Sequence, residues 1–481
     1  MADINLGVGG ANSATGGYEI DNSVKTEATN NEWFYRSSPT QGNRQTFTFS
    51  FWHKRSQITN YPADPYLMSQ GSNARFHITG NTNPTLRFMF DGNSTELESS
   101  PRIRDTAAWY HIVLAVDTTQ ATASNRVKLY LNGEQISWDN SAYPSQNATS
   151  TWMSTTNMYF NTRDGDGSYD ASGYYAEICV IDGQQLAPTS FGEFDSDSGI
   201  WKPIDVSGLT FGNEGFYLDF EDSSDLGADV SGNNNDCTLN NIAAADQATD
   251  TPTNNFATMN VLAHNNSRAD FTSGGTVIQN NVEAWCTGVS TIAVNKGKWY
   301  AEFAPVDPHA IYHFVGVVDV SDLGSVGNTY LGVQGSIAIG IYSLNGSTYD
   351  GVNTATYTTA FGWDQNGPNS GEGDIISVAL DADNGYIYFR SNGGSWANSG
   401  DPTSGSSGTG GEPVPLGGSG YYCIGQSINE GNRAEGCANY GGYTRLTVAS
   451  GNSDANGYGN FEYAPPSGYY ALCSKNLAEY G

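Results

Sequence analysis

The sequence predicts an all-β chain made of two antiparallel sandwiches in tandem, and three observations carry that prediction. The first is the stretch Trp109 to Ile136, where alternating runs at His111 to Val116 and Val127 to Leu131 flank a polar loop. The second run ends in Asn132-Gly133, the residue pair that best tolerates the two positive-φ positions of a tight hairpin turn. The second observation is that the same pattern returns at Gly373 to Arg390, where Asn384-Gly385 separates two further alternating runs. The third is composition: 12% aromatic residues, 58 Gly and few helix formers suit strands joined by turns.

At 481 residues the chain exceeds one ordinary core, so more than one domain is expected. Fifty acidic against twenty basic residues give a formal charge of −30, which opposes binding to nucleic acid or to anionic membrane surfaces. No apolar run approaches the roughly 20 residues needed to span a bilayer, so no membrane insertion is expected. The start of the chain lacks the basic and apolar segments of a signal peptide. Cys179, Cys237, Cys286, Cys423, Cys437 and Cys473 have neither C-x-x-C nor metal-finger spacing and read as buried free thiols.

Residues 1–17 are small and polar and read as an arm, either a docking peptide or a frayed terminus. Strand signals then recur at 46–56, 74–78, 86–92, 158–163, 174–182 and 216–222, with Phe47, Phe49 and Phe51 sharing one face of the first. A short helical turn is expected near Ala187 to Phe194. FTFSFWHKRS, WYHIVLAVDTTQATASNRVKLYLNGEQI and YYAEICVIDGQQLAPTSFGEF together resemble a laminin-G-like or pentraxin-like module of the concanavalin type. That resemblance places a concanavalin-like jelly roll over 18–225. Residues 226–260, rich in Asn, Asp, Thr and Ala, read as a linker with some apolar residues able to pack on a domain flank.

A second β region follows. GKWYAEF and GDIISVALDADNGYIYFRSNGGSW resemble the SPRY module, which implies a second sandwich over 261–481. Within it, residues 401–420 form a Gly/Ser-rich stretch that reads as a mobile surface loop. NFEYAPPSGYYALCSKNL at 460–477 and TPTNNFATMN at 251–260 resemble segments found beside SPRY-like modules in structural proteins of marine bacteriophages. The resemblance implies a virion protein, made in the host cytoplasm and displayed on the virion surface.

Concanavalin-type folds include glycoside hydrolases, which need two carboxylates across a sugar bond. No Glu-x-Asp-x-Glu string is present, and Glu193, Asp195 and Asp197 fall where a turn is expected, so no enzyme is predicted. His309 and His313 share i, i+4 spacing, but Pro308 argues against the helix that a metal pair would require. The best cation candidate is the loop Thr162 to Gly173, with Asp164, Asp166 and Asp170, where Asp and Gly alternate as a calcium loop requires. The same residues also make ordinary solvated turns, and the loop lacks the terminal Glu of an EF-hand. Asp381 and Asp383 read as turn residues of their hairpin.

Glycan binding calls for exposed aromatics beside amides and carboxylates. Trp138, Tyr143, Trp152 and Tyr169 fall in loop-like stretches of the first module, and Trp396 in the second; each is a candidate contact or a cap on a core. Together these readings give a non-enzymatic phage surface protein, a tail fibre or adhesin recognising host cell-surface glycans. Its expected partners are other virion proteins and further copies of itself, with a trimer implied by the resemblance. A capsid decoration or head-fibre protein is the alternative, and a polysaccharide depolymerase a lesser one.

Overall fold

The structure is a computed structural model, and it describes residues 17–37, 39–58, 64–80, 84–263, 268–305, 312–343, 345–352, 354–356, 374–429 and 434–481. The expected arm at 1–17 lies outside these except for Gly17, as do His264 and His309. Strands dominate, and among the described residues the α-helices are two short ones, Leu323–Val326 and Ser474–Tyr480. Among the described residues no helix is long and apolar enough to cross a membrane. The chain divides into two compact units, Thr15–Asn254 and one containing Asn255–Gly481.

Besides a two-stranded sheet, Gly192–Phe194 with Trp201–Pro203, the first unit holds two large antiparallel sheets. One runs in the order Glu134–Gln135, Val127–Leu131, Tyr110–Asp117, Thr46–Arg55, Gly173–Asp182, Ser23–Thr26, Gln247–Ala248, with Phe216–Leu218 also paired to Gly173–Asp182. The other runs Trp138–Ser141, Glu96–Arg102, Thr85–Met89, Ala74–Thr79, Tyr66–Gln70, Met158–Phe160, Trp33–Arg36, Cys237–Asn240. Period-two alternation puts Phe47, Phe49 and Phe51 between the sheets with Phe34, Phe76, Phe88 and Leu97, all buried. The opposite face of the first sheet carries Val113, Cys179 and Ile181, which Phe191, Val206 and Phe211 cover.

The Asn132-Gly133 hairpin forms as the sequence predicts. Asn132 has φ 48° and Gly133 φ 82°, the paired positive values of a type I′ turn. Glycine is required twice over at 133, because a Cβ there would collide with the Trp201 ring. The Asn384-Gly385 turn differs. Gly385 (φ 73°) takes the left-handed conformation, Asn384 does not, and Gly385 N–H donates to the Asp381 carbonyl to close a longer turn. The expected helical turn is the single 3₁₀ turn Pro188–Ser190.

Residues 226–254 do not form the free connection that their polar composition indicates. Cys237–Asn240 pairs with Trp33–Arg36, and Gln247–Ala248 pairs with Ser23–Thr26. Leu226, Cys237 and Ile242 enter the core, and Asp250 accepts a buried ion pair from Lys54 at 2.7 Å. A few apolar residues and two acids facing buried lysines suffice to fold a segment whose average composition is that of a linker.

The second unit also holds two sheets. One runs Ala269–Thr272, Val277–Asn280, Glu435–Asn439, Lys298–Pro305, Ile376–Asp381, Tyr386–Ser391, Glu412–Pro413. The other runs Cys286–Val294, Tyr422–Asn429, Tyr312–Asp319, Ala338–Tyr342, Ser347–Tyr349, Thr354–Thr356. Trp299, Phe303, Val315, Ile376, Phe389 and Ile424 fill the space between.

The 401–420 stretch is not the unpacked loop expected of it. Glu412–Pro413 pairs with Tyr386–Ile387, Val414 is buried, and the Tyr469 hydroxyl donates to the Pro402 carbonyl at 2.9 Å. Two of its glycines serve contact: Gly408 lies flat against the Tyr386 ring, and a Cβ on Gly411 would come within 2.6 Å of the Tyr388 ring. All six cysteines are buried, and Cys423 and Cys437 sit in different sheets.

Candidate functional site

The outer face of the second sheet in the first unit carries the arrangement best suited to a ligand. Trp33–Arg36 reads Trp-Phe-Tyr-Arg, and burial of Phe34 in the core turns Trp33 and Tyr35 outward. Met158–Phe160 does the same for Tyr159, with Met158 and Phe160 in the core. Register then aligns Thr238, Tyr35, Tyr159, Ser69 and Arg75 across neighbouring strands. Tyr35 and Tyr159 stack at 5.3 Å between ring centres, and Trp33 lies 5.5 Å from Tyr35 and 5.6 Å from Tyr159. All three rings are half-buried, leaving part of each to solvent.

The Thr162–Gly173 loop borders this aromatic row. Asn161, at φ 68°, donates through Nδ2 to the carbonyls of Glu32 (2.7 Å) and Ala171 (2.8 Å), which pins both ends of the loop. Ser69 Oγ donates to the Thr162 carbonyl and accepts from the Asp164 N–H, each at 3.0 Å. Gly165 rests on the aromatics, since a Cβ there would come within 2.6 Å of the Tyr159 ring and 3.3 Å of Trp33. Beside it opens a depression of about 490 Å³ lined by Pro39, Thr155, Thr156, Asn157, Tyr159 and Asp164.

The loop acids differ sharply from one another. Asp166 Oδ1 accepts from the Ser168 N–H (2.8 Å) and hydroxyl (2.6 Å), as a turn cap does. Asp170 is buried, and neither of its oxygens has a hydrogen bond of normal geometry. Burial pushes its carboxyl up to about 6, opposed by the nearby Thr162 hydroxyl, while the charge on Asp166 adds to the rise. Burial raises Asp164 as well, against the pull of Arg163 and Arg75, and its Oδ1 is also without a partner. Among the described residues no three His, Cys, Asp or Glu side chains gather as a metal-ligand group. Asp166 is turned to its own loop, and unpaired oxygens are left on Asp164 and Asp170.

The predicted aromatic contacts scatter. Tyr169 lies beside the site, 5.5 Å from the Arg163 guanidinium and 5.5 Å from Tyr66. Trp138 is half-buried on the strand at the opposite edge of the sheet, and it and Tyr143 pack against the core. Trp152 is fully buried between Phe49 (5.1 Å) and Phe88 (6.0 Å), with its indole N–H donated to the Met89 carbonyl, so it is a core residue and no glycan contact. Trp396 belongs to the other unit and holds the Arg390 guanidinium 4.6 Å from its ring centre. His313 is buried, its Nε2 is 2.8 Å from Gln426 Oε1, and desolvation lowers it to about 4, which leaves it neutral. Asp381 is paired with Lys298 at 2.8 Å and caps its turn through Asn384. Asp195 accepts from Asp197, Ser198 and Lys202 in a turn.

Trp33, Tyr35, Asn157 and Tyr159 were not singled out from the sequence. The signal was there in the strand pattern: at 33–36 and 158–160 an outward aromatic stands next to an inward one, so the outer face is aromatic too.

Residues 26–183 match a laminin-G-type family described as the concanavalin A-like lectin/glucanases superfamily. Among solved structures, the SPRY domain of human HERC1 is similar at 15% identity and TM-score 0.25, covering 36% of this chain and 95% of that one. A putative carbohydrate binding protein from Bacteroides ovatus is similar at 15% identity and TM-score 0.28, covering 42% and 56%. A SAP-like pentraxin from Limulus polyphemus is similar at 14% and 0.26, covering 35% and 78%. No curated protein matches the chain in sequence.

Proposed function

We propose that the first unit is a glycan-binding module whose contacts are Trp33, Tyr35 and Tyr159 with Asn157, Asp164 and Tyr169 at their border. The observation that carries this reading is the half-exposed aromatic row in strand register beside a polar-rimmed depression. Pyranose rings present apolar faces to such a row, while hydroxyls find the amide of Asn157, the carboxyl of Asp164 and the hydroxyls of Thr155 and Thr156. The match of residues 26–183 to a family that includes lectins supports it.

Around this module we place the whole chain as a non-enzymatic virion surface protein of tail-fibre or adhesin type, with its copies grouped as a trimer so that weak sites act together. Calcium belongs to the same proposal. The unpaired oxygens of Asp164 and Asp170 and the unsatisfied Thr162 hydroxyl are the hard donors that a flexible, oxygen-only ion takes. Asp166 stays the cap of the loop.

A glycan array probed with the purified chain, with and without chelator, tests the module. Binding that Tyr159→Ala removes while leaving the circular dichroism unchanged is the expected result, and array-wide silence with a folded protein would reject it. Antibody labelling of intact particles tests the placement: label at the tail is expected, whereas label over the head or absence from particles would overturn it.

A further inference from the structure

Lys25 stands on the first described strand of its unit, Ser23–Thr26, next to Val24 of the core. Its Nζ lies 2.7 Å from Asp246 Oδ1 and 2.7 Å from Glu32 Oε2. The three side chains are 2%, 11% and 4% exposed respectively, so they meet almost out of water. Three charges in such a place are costly to keep desolvated, and a state with fewer of them is favoured. Burial raises the Glu32 carboxyl, against the pull of Lys25, so Glu32 accepts a proton more readily than an exposed glutamate. Two further bonds fix the geometry. Asp246 Oδ2 accepts the Ala243 N–H at 2.9 Å, and Glu32 Oε1 accepts from Asn30 Nδ2 at 2.9 Å.

We infer that Lys25, Glu32 and Asp246 form an autocatalytic modification site, at which the Lys25 amine condenses with the Asp246 carboxyl to give a side-chain amide. Glu32 takes a proton from the Lys25 ammonium and passes it to Asp246 Oδ1, so that a free amine faces a neutral carboxylic acid. The amine attacks Asp246 Cγ, one bond beyond the oxygen it already touches, in a held geometry that replaces a bimolecular encounter. Negative charge gathers on Oδ2, where the Ala243 N–H is already aimed. The C–N bond forms, the Cγ–Oδ1 bond breaks, and Glu32 relays the second proton to Oδ1. Of the three ammonium hydrogens, one stays on the amide nitrogen and two leave with Oδ1 as water. Glu32 ends as it began, no oxidant or reductant takes part, and a buried ion pair becomes a neutral amide whose N–H faces Glu32. The product joins the first described strand of the unit to the 3₁₀ turn Ala244–Asp246 near its end.

Intact-mass measurement of the purified full chain, followed by tryptic mapping, tests this. The expected chain is lighter than its sequence by one water, tryptic cleavage after Lys25 is lost, and the Lys25 and Asp246 peptides are recovered joined. Glu32→Gln is expected to restore the full sequence mass. Asp246→Asn should release ammonia instead of water and reach the wild-type product mass, which an ion pair of purely structural role would never do. The full sequence mass in wild type after prolonged incubation overturns the inference. So does a water loss that maps to Lys54 and Asp250, or a cross-link that survives in folded Glu32→Gln. If Glu32→Gln does not fold, the Asp246→Asn mass decides the question alone.

Discussion

Replacing Trp152 separates a core residue from a surface contact more cleanly than any other change in this chain. The side chain is 0% exposed, packed at 5.1 Å from Phe49 and 6.0 Å from Phe88, and its indole N–H donates to the Met89 carbonyl at 3.0 Å. Trp152→Ala removes the ring and leaves a cavity, a change that costs about 3–5 kcal/mol. For a unit of this size each kcal/mol moves the midpoint by about 2–4 °C, so Trp152→Ala should lower it by about 6–20 °C. Trp152→Phe keeps an aromatic in the slot but removes the indole donation to the Met89 carbonyl, and the lost hydrogen bond alone costs about 0.5–1.5 kcal/mol. Scanning calorimetry of the full chain reads both numbers, and the array reads glycan binding on protein held well below the midpoint. Binding should persist in both variants. An unchanged midpoint with lost binding would refute the core assignment and return Trp152 to the surface.

Tyr159→Ala makes the opposite prediction: binding is lost, while stability falls only by the stacking with Tyr35, about 0.5–1.5 kcal/mol, as read by urea titration. Asp170 gives a pH signature, because its folded carboxyl is raised to about 6 above an unfolded value of about 3.9. Its contribution is fully present below pH of about 3.9 and is lost as pH rises through about 6. In chelator, the unit should therefore lose midpoint across that window. Asp170→Asn should remove that loss, and calcium at neutral pH should reverse it in wild type. Glu177 is buried at φ 51° in the bulge of Gly173–Asp182, and its carboxyl is raised to about 8 chiefly by burial, with Tyr217 (2.6 Å) and Tyr18 (3.2 Å) donating to it. The same sign applies: stability held at lower pH falls as pH rises through about 8, and Glu177→Gln should flatten the midpoint-versus-pH curve there.

How much was legible in the sequence follows from which signals are local. The Phe47, Phe49, Phe51 alternation and the Asn132-Gly133 turn are encoded within a few residues, and the structure places both as read. Composition misled where a few residues outweigh an average. Asp246 and Asp250 look like linker residues until Lys25 and Lys54, more than 190 positions earlier in the chain, meet them at 2.7 Å. The glycines of 401–420 look like flexibility, but at 408 and 411 the missing Cβ admits the rings of Tyr386 and Tyr388. The site was half visible. Its acidic loop stood out as a string, whereas Trp33, Tyr35 and Tyr159 come from strands whose neighbouring aromatics fill the core, and pattern reading credits such strands to packing alone. Loop position also misassigned Trp152, because a loop that closes over a sandwich end can be as buried as a strand.

The first unit begins and finishes at the same sheet edge: Val24 pairs with Gln247, and the Ile20 N–H donates to Thr253 Oγ1 at 3.0 Å across 233 residues. A chain emerging from the ribosome cannot complete this edge until nearly all of the unit has been made, so its early strands wait unpaired and long-range closure sets the pace of folding. The same adjacency makes the unit a cassette. Its two ends leave side by side, so a copy of residues 17–254 spliced into a surface loop of an unrelated protein would ask its host for almost no span, and new termini could be opened at an exposed turn with the old ones joined.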